Sequence, residues 1–498
     1  YFLMKDIIIV GGGSAGWMTA ATLIKAFPNK NITLIESKNT PTIGVGESTL
    51  SKINSWLNFL EIKDEDFLKE VDGIYKLSIK FTDFYKKGES FHYPFGQADL
   101  NDNLNGLNDW WYKKFLHPET PYSDYANCFY KNMAYVNNNT FNKELVSAYA
   151  FHFDAVKLGR WLKNNYCLPK GVKHIVDDVK TVEQYEEGIK SLNNKYKADL
   201  YIDCTGFKSL LLGETLEEPF ESYADKLPNN SAWATKIPYK NKKKELVSYT
   251  NCTAYNNGWI WNIPLWSRIG TGYVYSNKFI SDEDALKEFQ KYLGTEELDF
   301  KKIKMKVGIH RRLWVKNVVA IGLSAGFIEP LESNGLLSVH EFLLNLIRNM
   351  DRDHISQWDK DNFTFQCKKV FKSFSEFVAL HYALSHRNDT EYWKDNLNKT
   401  WCNDLIDLKT SLSSDFLKLA IEKDEHFRFD TRGGIHCVGA GMHYGPTNLN
   451  TIKWLEKGHN NSRVDWITAI QNLEHKHKMW DKEAKDQTSL YEIVSNLE

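Results

Sequence analysis

The chain reads as an α/β protein: a parallel sheet flanked by helices, an inserted antiparallel sheet, and a mainly helical C-terminal region. Three observations predict this. A strand, a glycine cluster, a helix and a second strand open the sequence. An apolar strand near residue 200 runs into a glycine turn. Short β-like runs crowd residues 231–275.

Residues 6–10 are an apolar run suited to a buried strand. Gly11-Gly12-Gly13-Ser14-Ala15-Gly16 follows, and residues 17–27 have helical spacing. Residues 32–35 form a second strand that ends in Glu36, which completes a βαβ unit. Residues 42–47 are a glycine-rich loop, and 51–60 return to helical periodicity. Residues 88–139 are rich in Asn, Asp, Gly and aromatics and read as long loops with short helices around a site. Residues 148–162 read as a turn into an amphipathic helix. Residues 198–206 are a strand entering a glycine turn. The β-like runs 232–237, 246–250, 259–263 and 271–275 point to an antiparallel sheet inserted in the chain. A buried strand is expected at 318–322 and a helix at 336–350. Beyond about residue 351 the pattern is helical and charged, with Gly439-Ala440-Gly441 reading as a turn.

The 498 residues carry a formal net charge of -1, so no global basic field draws the protein to nucleic acid or an anionic membrane. The 16 Trp, 25 Tyr and 28 Phe fill cores first, and they also suit a protein that sandwiches flat rings. Seven scattered cysteines without a Cys-x-x-Cys pair argue against a disulfide framework or a zinc site and for a reducing compartment. No metal is expected. No apolar run approaches the ~18 residues that span a bilayer. The expectation is a cytoplasmic protein. The sequence is silent on oligomeric state.

Gly11, Gly13 and Gly16 give Gly-x-Gly-x-x-Gly between a strand and a helix. The first glycine makes the tight turn, the second admits a pyrophosphate, and the third lets helix and strand pack closely. The helix start at Ser14, Ala15 and Trp17 offers backbone N–H groups and a partial positive charge. Glu36 follows where an acid meets ribose hydroxyls. Only one such unit is present, and residues 199–206 are similar to the second flavin motif of glutathione-reductase-type enzymes. FAD is therefore favoured over NAD, on a glutathione-reductase-type FAD-binding fold, a three-layer ββα arrangement. With no second nucleotide fold, a separate flavin reductase has to supply reduced flavin.

Gly258-Trp259-Ile260-Trp261-Asn262-Ile263-Pro264, Lys80 in the run 77–81, and Gly326 to Ser333 (GFIEPLES) occur together. With residues 44–48 (GVGES), 151–155, 203–211, 270–276 and 386–389, the chain resembles the flavin-dependent halogenases of the tryptophan-halogenase family. The resemblance implies that reduced FAD and dioxygen oxidise a halide to hypohalous acid. This oxidant passes through a tunnel to Lys80, which halogenates an electron-rich arene by electrophilic substitution. It implies Lys80 and Glu332 as catalytic residues and Asn334 and Gly335 as the halide site. It places Glu47, Leu323 and Leu336 at the flavin, and Trp259, Trp261 and Ser333 along the tunnel and flavin shield. The family carries Thr where this chain has Asn334, which leaves the preferred halide open.

Each residue has a plainer reading. Lys80 suits the surface of an alternating strand, Glu332 suits a helix-capping acid, and the two tryptophans suit a packed core strand. Residues 427–446 lack an aromatic cluster for enclosing free tryptophan, and their glycines point to a more open pocket. A phenol, an indole or another electron-rich arene, free or carrier-bound, is expected. An FAD monooxygenase and a non-catalytic flavin-binding protein stay as alternatives. The expected domains are a discontinuous FAD-binding domain at 4–350, with a β-sheet and substrate insertion at about 215–305, and a helical substrate-side region at 351–498.

Overall fold

The strand Asp6–Val10 forms because four of its five residues are apolar and buried, flanked by neighbours on both sides. It pairs in parallel with Asn31–Glu36 and with Leu200–Asp203, and parallel strands buried on both faces read as continuous apolar runs. The sheet order is Trp314–Val315, Val318–Ala320, Leu200–Asp203, Asp6–Val10, Asn31–Glu36, Lys173–Val176. All neighbours are parallel except the terminal hairpin Trp314–Val315/Val318–Ala320. The helix Ser14–Ala26 connects the first two strands. This is the expected FAD-binding fold.

The computed structural model describes residues 4–38, 46–99, 106–351, 355–398, 431–445 and 466–497. The glycine-rich loop at 42–45 and residues 427–430 and 446 of the C-terminal glycine segment lie outside them. The chain divides into two compact units: Tyr1–Gly73, His152–Ala232 and Lys301–Lys372; and Ile74–Phe151, Trp233–Phe300 and Ser373–Glu498. The division falls differently from the expected one. Residues 74–151 group with the insertion and the C-terminal region because the strand Ser78–Thr82 is built into the inserted sheet.

Ser231–Ile237, Ile269–Tyr275, Gly258–Pro264, Tyr249–Tyr255, Ser78–Thr82 and Ser90–Pro94 are successive neighbours in one sheet. The expected antiparallel sheet is in fact mixed, since Tyr249–Tyr255 pairs in parallel with Ser78–Thr82. The strand expected at 246–250 is Tyr249–Tyr255, shifted because Leu246 caps the short helix before it. One face of the sheet packs Ile260, Tyr273 and Tyr275 onto Ala285 and Phe289 of the helix Asp282–Leu293. Ser281 starts that helix by accepting the Asp284 amide, and Gly294 ends it at φ 73°.

Two other expectations change. Residues 150–154 form a strand, not a turn into a helix, and the helix Ala155–Trp161 starts only where Asp154 accepts the amides of Val156 and Lys157. Gly439 to Gly441 lie inside the helix Thr431–Gly441. Its glycines serve close approach: a Cβ on Gly441 would stand 2.1 Å from the Phe91 ring, and one on Gly434 would stand 2.8 Å from Tyr93 and Phe377. This end of the segment is tightly packed rather than open.

Candidate active site and cofactor cradle

The first unit carries the cradle. Gly11 takes φ 117°, and its amide donates to Ile35 O at 2.9 Å, which turns the chain sharply at the strand end. A Cβ on Gly16 would stand 1.9 Å from Gly11 O, so this glycine lets helix and strand meet. A Cβ on Gly13 meets nothing within 4 Å. Among the described residues the space beside the helix start is therefore open, and the residues fit a pyrophosphate. Ser14 is tied to Ala155 O at 3.0 Å. Ala15 closes on Gly322, where a Cβ would be 2.8 Å away. Trp17 is buried, with His174 5.4 Å from its ring and the Lys163 ammonium 5.6 Å away.

Glu36 ends its strand with Oε2 2.8 Å from His174 Nε2 and 3.9 Å from Lys163 Nζ. Its side chain lies against Gly12, where a Cβ would clash at 2.4 Å. These contacts fix the carboxylate at the mouth of the glycine turn. Asp203, in the segment similar to the second flavin motif, turns both oxygens to its own chain. Oδ1 accepts from Thr205 N and Oγ1 at 3.0 and 2.7 Å, and Oδ2 accepts from Leu211 N and Leu212 N at 2.7 and 3.0 Å. It shapes the turn.

Downstream, Leu323 sits half-buried in the 3₁₀ turn Gly322–Ser324. The turn Pro330–Glu332 leads through Ser333, at φ 57°, into Asn334 and the helix Gly335–Met350. Glu332 is fully buried. The N-cap position of the helix belongs to Asn334, whose side chain makes no capping hydrogen bond. A left-handed residue followed by a right-handed one turns successive N–H groups to one side, which is an anion-binding concavity. The Ser333 hydroxyl is 3.0 Å from that of Ser48, and Asn334 Oδ1 is buried without a hydrogen-bond donor among the described residues. Leu336 is buried on the first turn. Glu47 lies in the strand Gly46–Ser48 opposite Phe153, and its Oε2 would be 3.6 Å from a Cβ on Gly335. Burial, reinforced by the charge of Asp154, pushes the Glu47 carboxyl up to about 7.

Lys80, Trp259 and Trp261 belong to the second unit. Lys80 is half-buried in Ser78–Thr82, and its ammonium lies 6.0 Å from the Tyr249 ring centre. Among the described residues it has no carboxylate partner. In register with it stand His92 on one side and Asn251 on the other. Asn251 is in register with Asn262. Trp261 is in register with Cys252, which faces Phe81. Alternation along the strands therefore sends Lys80 to one face and both tryptophans to the other. There the rings lie 6.1 Å apart, with Trp261 so close over Gly272 that a Cβ would stand at 2.1 Å. The same face carries Phe81, stacked on Phe91 at 5.2 Å and tilted against His381 at 4.6 Å.

The first unit thus gathers the glycines, Glu36, Glu47, Glu332 and the helix start at Asn334 and Gly335, while the second holds Lys80 apart from the tryptophan pair. His92, Tyr249 and Asn251 surround Lys80 and were not expected. The alternation of residues 90–94 could have found His92, but nothing local points to 249–251. Among the described residues no cluster of His, Cys, Asp or Glu could hold a metal, and no helix is long and apolar enough to cross a membrane.

A family model described as tryptophan halogenase matches residues 6–452. The tryptophan 6-halogenase SttH of Streptomyces toxytricini is 36% identical over 424 residues, which is 78% of this chain and 80% of that one. The tryptophan 7-halogenase RebH of Lentzea aerocolonigenes is 34% identical over 421 residues, 79% of each chain. The solved apo structure of VirX1 superposes with a TM-score of 0.89 at 38% identity and covers 99% of both chains. The glycine cradle, the lysine strand and these relatives together make the chain a member of the tryptophan halogenase family, a flavin-dependent halogenase.

Proposed function

We propose that the enzyme uses reduced FAD, dioxygen and a halide to halogenate an electron-rich arene at Lys80. Dioxygen is the oxidant: bound reduced FAD would supply two of the four electrons it accepts and the halide the other two, leaving hypohalous acid and water. The residues present suit their parts. Gly11, Gly13 and Gly16 with the start of helix Ser14–Ala26 hold the pyrophosphate, and Glu36 holds ribose hydroxyls. The amides of Asn334 and Gly335 hold the halide, since the turn at Ser333 aims N–H groups to one side. Lys80 holds the oxidant by hydrogen bonding from its ammonium, which draws electrons from the halogen. Glu332 takes the ring proton or stabilises the cationic ring. Trp259 and Trp261 keep their shielding part in this proposal, exerted from the face opposite to Lys80.

The observation that carries the reading is Lys80: a half-buried ammonium on a rigid strand, with no anion beside it among the described residues to neutralise it. An ammonium kept free of carboxylates can bind an uncharged oxidant. The test is incubation with FAD, an added flavin reductase, dioxygen, each of chloride, bromide and iodide, and a panel of phenols and indoles. Halogenated products that disappear in Lys80→Ala support the proposal. Hydroxylated products without halide dependence would turn it to a monooxygenase, and bound FAD with no product to a flavin-binding protein.

A further inference from the structure

Glu36 ends the strand Asn31–Glu36, and its two carboxylate oxygens have different surroundings. Oε2 takes the contacts, with His174 Nε2 at 2.8 Å and Lys163 Nζ further off at 3.9 Å. A carboxylate oxygen accepts, so Nε2 carries the hydrogen of the shorter contact. Oε1 has no hydrogen-bond partner among the described residues. It lies over Gly12, 2.7 Å from where a Cβ on that glycine would stand. One oxygen is anchored and the other is presented at the mouth of the glycine turn.

The fold sets His174 to do the anchoring. The strand Lys173–Val176 runs parallel to Asn31–Glu36, with His174 in register with Leu34 and Val176 with Glu36. Partners in register share a face, and so do alternate residues, so His174, Leu34 and Glu36 project to one side of the sheet. The helix Ser14–Ala26 covers that side. A Cβ on Gly16 would stand 3.5 Å from Leu34 Cδ1, and the His174 ring lies 5.4 Å from the Trp17 ring at a tilt of 57°. The imidazole is thus held between the helix and the acid. The main chain of Glu36 is secured separately, by the Asp177 amide donating to its carbonyl at 3.1 Å. The imidazole therefore governs the side chain and not the strand. An untethered glutamate side chain must be ordered before it can accept a bond from a ligand, and the tether removes that cost.

We infer that His174 is a positioning residue of the cofactor site: by fixing Oε2 it makes Glu36 Oε1 the reader of the adenosine 2′-hydroxyl of FAD. A hydroxyl donates to that oxygen, and a hydrogen in its place leaves it unpaired. This deepens the FAD part of the proposed function and rests on it.

The test measures the affinity of oxidised FAD and of its 2′-deoxyadenosine analogue by flavin fluorescence, and it needs no turnover. The wild type is expected to prefer FAD by about tenfold, and Glu36→Ala to lose that preference. His174→Phe keeps a ring against Trp17 but drops the bond. It is expected to cut the preference to about threefold or less while holding the deoxy analogue as the wild type does. His174→Gln, whose amide can still donate to Oε2, restores part of the preference. Added to Glu36→Ala, His174→Phe changes neither affinity, because the imidazole acts through the carboxylate. Should His174→Phe not fold, His174→Leu takes its place. Equal losses on both flavins, as a structural role would give, overturn the inference. So does a full preference in His174→Phe, or equal binding of the two flavins by the wild type. Binding of neither flavin by the wild type sinks the FAD reading itself, whereas binding without a His174 effect sinks this inference alone.

Discussion

Lys80 and Trp261 stand two strands apart in one sheet and project from opposite faces of it. The lysine shares its face with His92 and Asn251, and the tryptophan shares its own with Cys252 and Phe81. Two motifs that together mark the family are therefore separated by the thickness of a backbone layer. Lys80→Ala removes a half-buried polar side chain and disturbs little packing. Halogenated product is expected to fall by more than about a hundredfold with an unchanged melting temperature, checked by product mass and by calorimetry.

The tryptophan face makes the opposite prediction. Trp261→Ala opens a buried cavity and is expected to cost about 3–5 kcal/mol. Trp261→Phe should cost far less, because Nε1 has no acceptor to lose among the described residues. Gly272→Ala forces a methyl into the Trp261 ring and is expected to cost about 1–3 kcal/mol. Urea unfolding checks all three. If the pair also shields the flavin, Trp259→Ala yields oxygenated products that are absent from the wild type.

Gly13 and Gly16 separate binding from folding. Gly16→Ala drives a methyl into Gly11 O and is expected to destabilise the protein without cofactor by about 3 kcal/mol or more. Gly13→Ala meets open space, so unfolding of the cofactor-free protein changes by less than about 0.5 kcal/mol. The methyl then occupies the pyrophosphate's approach, and FAD affinity falls by roughly tenfold or more, read from flavin fluorescence.

Glu47 gives a pH signature. Its carboxyl is held at about 7 against an ordinary 4.5, so the fold favours its protonated form. The contribution is present at low pH and is lost as pH rises from about 4.5 through about 7, where the folded state must surrender a proton that the unfolded state has already lost. The wild type and Glu47→Gln should have equal unfolding free energies near pH 4.5. Above pH 7 the variant should be the more stable, by at most about 3 kcal/mol. Parallel pH profiles would show that Glu47 titrates normally.

Local features were the legible ones. The βαβ unit, with Glu36 at its end, follows from a strand, three glycines and a helix within a single stretch. The site motifs were recognisable by their resemblance to a family. What escaped depends on distant partners. Residues 150–153 are all buried, so they lack the alternation that marks a strand. Gly434 and Gly441 look like turn residues, yet they are small so that a helix can lie against Phe91 and Tyr93. The chemical setting of Lys80 was half readable. His92 comes back across a hairpin, whereas Tyr249 and Asn251 arrive by a parallel pairing that no local pattern encodes.

That parallel pairing has a kinetic consequence. Ser78–Thr82 leaves the ribosome well before Tyr249–Tyr255, and closing so long a loop costs entropy before any ladder bond is gained. During synthesis the lysine strand therefore waits with one edge uncovered, and unpaired edges invite association with other chains. Expression yield should respond to whatever delays the arrival of Tyr249–Tyr255, even where the finished enzyme is untouched.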